Sequence, residues 1–141
     1  MDTDAVCRIA AGELDAEIVW RDKQVLAFLD HRPVFKGHTL VCPLPHVETL
    51  LDLPPTAIPT LFGAARRIAA AMPAAFGAQG TFVAINNVVS QSVPHLHVHV
   101  VPRSKGDGLR GFFWPRTQYA PGELAAYGEL LRSALEESSF S

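Results

Sequence analysis

Cysteine is scarce in this chain. Cys7 and Cys42 are the only two among 141 residues, too few for a disulfide framework. Long apolar runs are missing as well: nothing approaches the ~18 consecutive apolar residues that a membrane-spanning helix needs, so no membrane partner is expected. A surplus of positive charge is the third absence. Twelve Lys and Arg stand against fourteen Asp and Glu, a formal net charge of −2. Duplex DNA or RNA demands a basic footprint along its phosphates, so neither is expected as the main partner. Met1-Asp2-Thr3-Asp4 is acidic and lacks the apolar core of a secretory signal, which predicts a cytoplasmic location. Internal repeats and low-complexity tracts are absent too.

What the chain does have is apolar content in short periodic segments. Hydrophobic residues make up 48% and charged residues 18%, enough for one buried core and a single domain over residues 1–141. Residues 2–12 predict a short helix, with Val6, Ile9 and Ala10 on one stripe and Gly12 as its stop. Residues 17–21 and 24–29 are apolar runs split by Asp22-Lys23, the pattern of a hairpin. Residues 31–36 read as a loop and residues 37–43 as a third strand. Residues 56–76 predict a long helix, because Leu61, Ala64, Ala65, Ile68, Ala69 and Met72 recur with helical period. Pro59 fits its first turn, and Pro73 is expected to end or kink it. Two more strands follow at 81–86 and 96–101, and a C-terminal helix at 122–135. Hairpin-like neighbours imply antiparallel pairing, so the fold class is α+β. The expected architecture is a five-stranded antiparallel sheet with one long helix and short terminal helices. Its core spans about residues 5–102, and a tail and helix fill 103–141.

Six histidines are present, and His95, His97 and His99 fall within five residues. Strand alternation places these three on one face at ~7 Å intervals, with Leu96, Val98 and Val100 on the other. Rings that titrate near neutrality are costly to align without partners. Two chemistries are open. A His-x-His pair can hold zinc if a third ligand approaches from elsewhere. Alternatively, one ring is a nucleophile that its neighbours tune. The flanks favour the nucleophile, since Gln91 and Ser92 offer an amide and a hydroxyl to phosphate oxygens. Arg103, Lys105, Arg110 and Arg116 against Asp107 then form the one basic stretch of the chain, which suits a small anionic substrate.

The run His95-Leu96-His97-Val98-His99-Val100-Val101 resembles the motif of the histidine triad (HIT) family, in which three histidines alternate with apolar residues. The resemblance extends in order over about residues 5–102. Cys7 to Glu13 is similar to the family's N-terminal helix, Val25 to Asp30 to its second strand, and Gly37 to Pro43 followed by His46 to its third. Gly108 to Arg116 is similar to the tail of one bacterial subgroup. The resemblance implies a HIT-like fold. It also implies a hydrolase or nucleotidyl transferase acting at the α-phosphorus of a purine nucleotide derivative through a nucleotidyl-histidine intermediate. Phosphoramidates, adenylates and dinucleoside polyphosphates are the candidate substrates. His97 would be the nucleophile. His99 would contact the phosphate and help move a proton to the leaving group. His95 would support the site, oriented by His38. Gln91 and Ser92 would position phosphate and leaving-group oxygens. Asp30 would bind the ribose, Val6, Ile9, Phe28 and His31 would line the base pocket, and Asn86 would contact the nucleotide. The family's usual homodimer would use Leu61, Ala65, Ile68 and Met72 as candidate contacts, and a core within the chain accounts for them equally well. No cofactor is required by this chemistry.

Two departures from the family pattern matter. Bacterial relatives often carry Cys-x-x-Cys near the N-terminus, whose thiolates join two histidines around zinc. Here Asp4 stands at the first position and Cys7 at the second, with His46 and His95 as the implied partners. Aspartate can ligate zinc, so a mixed site is one outcome; the departure favours loss of the metal. The loop before Gln91 is also short, and Ser90 stands where a glycine is usual. Two rival functions remain open: a nucleotide-binding regulator without turnover, and a zinc-binding protein that uses His95 and His97 as ligands.

Overall fold

The computed structural model describes residues 4–109 and 115–138. It falls into two compact units, Met1–Asp107 and Gly108–Ser141. The first opens with helix α1, Ala5–Ala10, capped by the Asp4 carboxylate, which accepts the Cys7 N–H. Strands β1 (Ile18–Arg21) and β2 (Val25–Leu29) form a hairpin. Asp22 makes its turn, with Oδ1 accepting the N–H groups of Gln24 and Val25 at 2.7 and 2.8 Å. Strand β3 (Thr39–Pro43) follows, then two short 3₁₀ turns at Leu50–Asp52 and Pro55–Ala57, then helix α2, Ile58–Phe76. Strands β4 (Gly80–Ala84) and β5 (Val98–Arg103) complete the sheet. Its order is β1-β2-β3-β5-β4, antiparallel throughout. The second unit contains helix α3, Glu123–Glu137, none of whose residues is buried.

Register sorts the side chains onto two faces. Phe28 pairs with Leu40, and Leu40 with His99, so these three share a face. Leu26 and Cys42 lie on the same side and pack with Val6 and Ile9 of α1. Val25, Ala27, Val41, Val98 and Val100 point the other way, into the main core with Leu61, Ala64, Ala65 and Met72 of α2. The long helix therefore covers one face of the sheet. The other face, partly covered by the short α1, is left for chemistry.

The α+β class and the five-stranded antiparallel sheet agree with the sequence reading. Some details differ. Pro73 does not end α2, which runs on to Phe76 and stops at Gly77 with φ 69°; a proline in the last turn removes little of the hydrogen-bond ladder. Leu61, Ala65 and Met72 are buried within the chain, so they are core rather than a surface for a second copy. Strand β4 stops at Ala84, two residues before the expected end. The fifth strand starts at Val98, not at 96, because pairing with β3 begins at Val98–Val41. His95 and His97 thus precede the strand. Among the described residues no helix is long and apolar enough to cross a membrane. The sequence predicts fraying over residues 138–141, of which 139–141 lie outside the described residues.

Leu61, in the first turn of α2, is 1% exposed within the main core. Leu61→Ala is expected to lower the unfolding free energy by about 3 kcal/mol in urea titrations.

Candidate active site

A cavity of about 410 Å³ opens on the sheet face away from α2. Val6, Ile9, Phe28, Asp30, His31, Ser92, His97 and His99 all line it. Eight of the sequence-predicted residues therefore converge. The apolar members come from α1 and β2, His31 from the loop after β2, and His97 and His99 from the approach to β5 and from β5 itself.

Main-chain acceptors fix the ring tautomers. His97 Nδ1 lies 2.7 Å from the carbonyl oxygen of His95. A carbonyl only accepts, so Nδ1 carries the proton and Nε2 keeps a free lone pair. His38 works by the same logic. Its Nδ1 accepts the Val34 N–H at 3.1 Å, which leaves the proton on Nε2, and Nε2 donates to His99 Nδ1 at 3.0 Å. His99 then holds its own proton on Nε2. The His97 and His99 rings meet edge-on with centroids 5.0 Å apart. Of the imidazoles that line the pocket, His97 thus carries a lone pair at Nε2 and His99 an N–H, the complementary pair that nucleophilic attack and leaving-group assistance require. Burial pushes the His99 pKa down to about 4, helped by His97 and His38, while Asp30 opposes. His38 is lowered too, again mainly by burial.

His95 departs from the expected row. It is fully buried and turned away from the pocket. Its Nε2 donates to the Pro43 carbonyl at 2.7 Å, which leaves the Nδ1 lone pair aimed at Asp4, Cys7 and His46. Alternation fails here because residues 92–97 are irregular: Leu96 N–H bonds to Val47 and His95 N–H to Val93. For the same reason His38 does not orient His95; it meets His99. His95 and His97 do not converge, so they form no shared metal site.

The Asp4 group tests whether zinc fits. Tetrahedral zinc with nitrogen, oxygen and sulfur ligands separates its donors by roughly 3.3–3.6 Å. The donors here stand at 2.8 Å (His46 Nδ1 to Asp4 Oδ2), 3.3 Å (His95 Nδ1 to Asp4 Oδ2), 3.6 Å (Cys7 Sγ to His95 Nδ1) and 4.0 Å (Cys7 Sγ to His46 Nδ1). Burial alone would raise the Asp4 carboxyl, but the Cys7 N–H and thiol hold it below its ordinary value. The Pro43 carbonyl behind His95 is the usual second partner of a metal-bound imidazole. The four residues fit the ion.

Other expected residues lie elsewhere. Gln91 does not line the pocket: Oε1 accepts the Val88 N–H at 2.9 Å, and Nε2 donates to the Glu48 carbonyl at 2.5 Å. Its amide is spent on a loop in which Val88 and Ser90 both take positive φ, 69° and 63°. Ser90 thus adopts the conformation that the missing glycine would prefer. Asn86 is exposed beyond the end of β4 and outside the pocket lining. Its neighbour Asn87 is the one used, accepting the Leu50 N–H at 2.8 Å. Arg103 is paired with Asp107 at 2.6 Å, and neither it nor Lys105 lines the cavity; Arg110 lies outside the described residues. Sequence reasoning missed Leu14, Asp15, Glu17 and Val93 in the pocket wall. They sit in irregular segments, where no period signals their direction.

Comparison with known proteins follows this geometry. Residues 11–106 match the family model described as the HIT domain. A HIT-like protein of Mycobacterium tuberculosis is 39% identical, over 93% of this chain and 92% of its own length. An adenosine 5'-monophosphoramidase of Schizosaccharomyces pombe is 28% identical, over 92% and 96%. A bis(5'-nucleosyl)-tetraphosphatase (asymmetrical) of the same organism is 35% identical, over 65% and 52%. Among solved structures, a HIT family member from Bacillus subtilis superposes with a TM-score of 0.85 at 32% identity, covering 99% and 100%. A zinc-bound histidine triad family protein from Mycobacterium smegmatis gives 0.70 at 37% identity, covering 91% and 94%.

The lowered pKa of His99 and His38 ties stability to pH. The unfolded chain protonates these rings near pH 6.5, whereas the folded chain resists until about pH 4 at His99. Stability present above pH 6.5 is therefore lost as the pH falls toward 4. The melting temperature is expected to drop across that window, and less steeply in His99→Asn.

Proposed function

The chain belongs to the histidine triad family, and on that premise we propose that it cleaves a purine nucleotide derivative at the α-phosphorus through a nucleotidyl-histidine intermediate on His97. The observation that carries this reading is the 2.7 Å bond from His97 Nδ1 to the His95 carbonyl, which leaves Nε2 free as nucleophile. In this reading the phosphoryl group sits against His97, His99 and Ser92, the ribose against Asp30, and the base in the slot of Val6, Ile9 and Phe28. Binding an anion draws a proton onto His99, against the burial that keeps its ring neutral in the free protein. The Nε2–phosphorus bond forms as the bond to the leaving group breaks. His99 passes a proton to that group, and the water that hydrolyses the adduct returns one. His38 acts through His99 as a positioning residue. The phosphoramidase and tetraphosphatase among the relatives support a nucleotide hydrolase at family level. The proposed working form is a cytoplasmic homodimer whose contact lies elsewhere than the buried Leu61, Ala65 and Met72.

His97→Asn is expected to reduce kcat by at least about a thousandfold on nucleoside phosphoramidates. Acid-quenched wild-type protein is expected to carry a nucleotidyl adduct that peptide mass spectrometry assigns to His97. Full activity in the variant, or an adduct elsewhere, would refute the assignment.

Zinc enters this reading as a structural ion. Asp4, Cys7, His46 and His95 would hold it, and it would supply fixed positive charge that clamps α1 to the segment before β5. Purified protein is expected to contain about one zinc per chain by elemental analysis. Asp4→Ala is expected to lose most of that metal and to melt at lower temperature.

A further inference from the structure

The pocket beside His97 has to accept an anion, yet the formal charges of its lining are acidic. Asp15, Glu17 and Asp30 line it, and no Lys or Arg among the described residues does. Asp30 is partly engaged by the chain itself: Oδ1 accepts the Arg32 N–H at 2.9 Å. Asp15 and Glu17 are exposed. Among the described residues neither of their carboxylates forms a hydrogen bond or ion pair. Their segment is anchored, because the Glu17 carbonyl accepts the Leu29 N–H at 2.9 Å and so holds it beside the end of β2. Leu14 and Ala16, interleaved with the two acids, line the same wall as Ile9 and Phe28. A carboxylate only accepts hydrogen bonds, and it repels lone pairs and anions. Asp15 and Glu17 thus line an apolar slot with carboxylates that no described residue engages, which suits a ligand that presents N–H donors there.

We propose that Asp15 and Glu17 read the nucleobase and select guanine. This rests on the nucleotide reading above and deepens it by naming the base. The guanine edge presents N1–H and N2–H side by side, which a carboxylate accepts with both oxygens. Adenine presents its N6–H next to the N1 lone pair, so the carboxylate gains one contact and meets one repulsion. Hypoxanthine keeps N1–H but lacks the 2-amino group. The resulting order of affinity is GMP, IMP, AMP. Solvent exposure of both acids limits the discrimination to about tenfold between GMP and AMP.

Isothermal titration of the full chain with GMP, IMP and AMP tests this. The wild type is expected to bind in the order given, with about a tenfold span. Asp15→Asn combined with Glu17→Gln is expected to bring the three dissociation constants within about twofold of one another, by weakening GMP rather than AMP. Each single variant takes part of the effect. Both positions are exposed, so the variants keep the wild-type melting temperature, which separates base reading from damage to the fold. Equal binding of the three nucleotides by the wild type, or an unchanged order in the double variant, overturns the base assignment alone. Failure of all three to bind at millimolar concentration overturns the nucleotide reading and this proposal together.

Discussion

The 2.7 Å hydrogen bond between the His97 ring and the His95 carbonyl is the contact on which the site depends. It fixes which nitrogen of His97 is a nucleophile, and it does so with a group that has no protonation state of its own. The same residue faces two ways. Its carbonyl serves His97, and its ring, held by Pro43, faces Asp4, Cys7 and His46. Any movement of the N-terminal helix relative to residue 95 would be felt at the nucleophile through a single residue. The metal-type cluster and the reactive ring are thus mechanically joined while chemically separate.

The division of the sheet makes this arrangement affordable in packing terms. Helix α2 and the Val25, Val41, Val98 and Val100 face form a continuous apolar core that tolerates no polar intrusion. The opposite face carries a smaller cluster, Val6, Ile9, Leu26, Phe28 and Cys42, which stops short of His97 and His99. Desolvation by that partial cover is strong enough to keep His99 neutral far below its ordinary range. It still leaves both rings on the wall of an open cavity.

Much of the fold was legible because it depends on period. The α2 stripe, the Asp22 hairpin and the apolar set Leu96, Val98 and Val100 follow from spacing alone. His97, His99, Asp30, Phe28, Ile9, Val6, His31 and Ser92 also reach one pocket as the sequence suggested. The errors cluster where period gives no information. Alternation places His95 on the strand, but pairing starts only at Val98. The family resemblance makes Gln91 and Asn86 substrate contacts, while the left-handed turns at Val88 and Ser90 fold that loop onto residues 48–50. A β-branched residue at positive φ is a tertiary outcome that no local preference announces. Asp15 and Glu17 escaped notice because acidic residues before a strand look like ordinary solvated surface.

The two acceptors that set the tautomers of His95 and His97 are main-chain oxygens of residues 43 and 95. A side-chain replacement at position 43 leaves its acceptor in place, provided the backbone keeps its path. Mutational pressure on the ring chemistry is thereby displaced from hydrogen-bonding partners to the residues that shape the chain, such as Pro43, Pro94 and the Leu96–Val47 link. Substitution scans that score only side-chain contacts would pass over these positions, and backbone-altering changes there would act as hidden inactivating lesions.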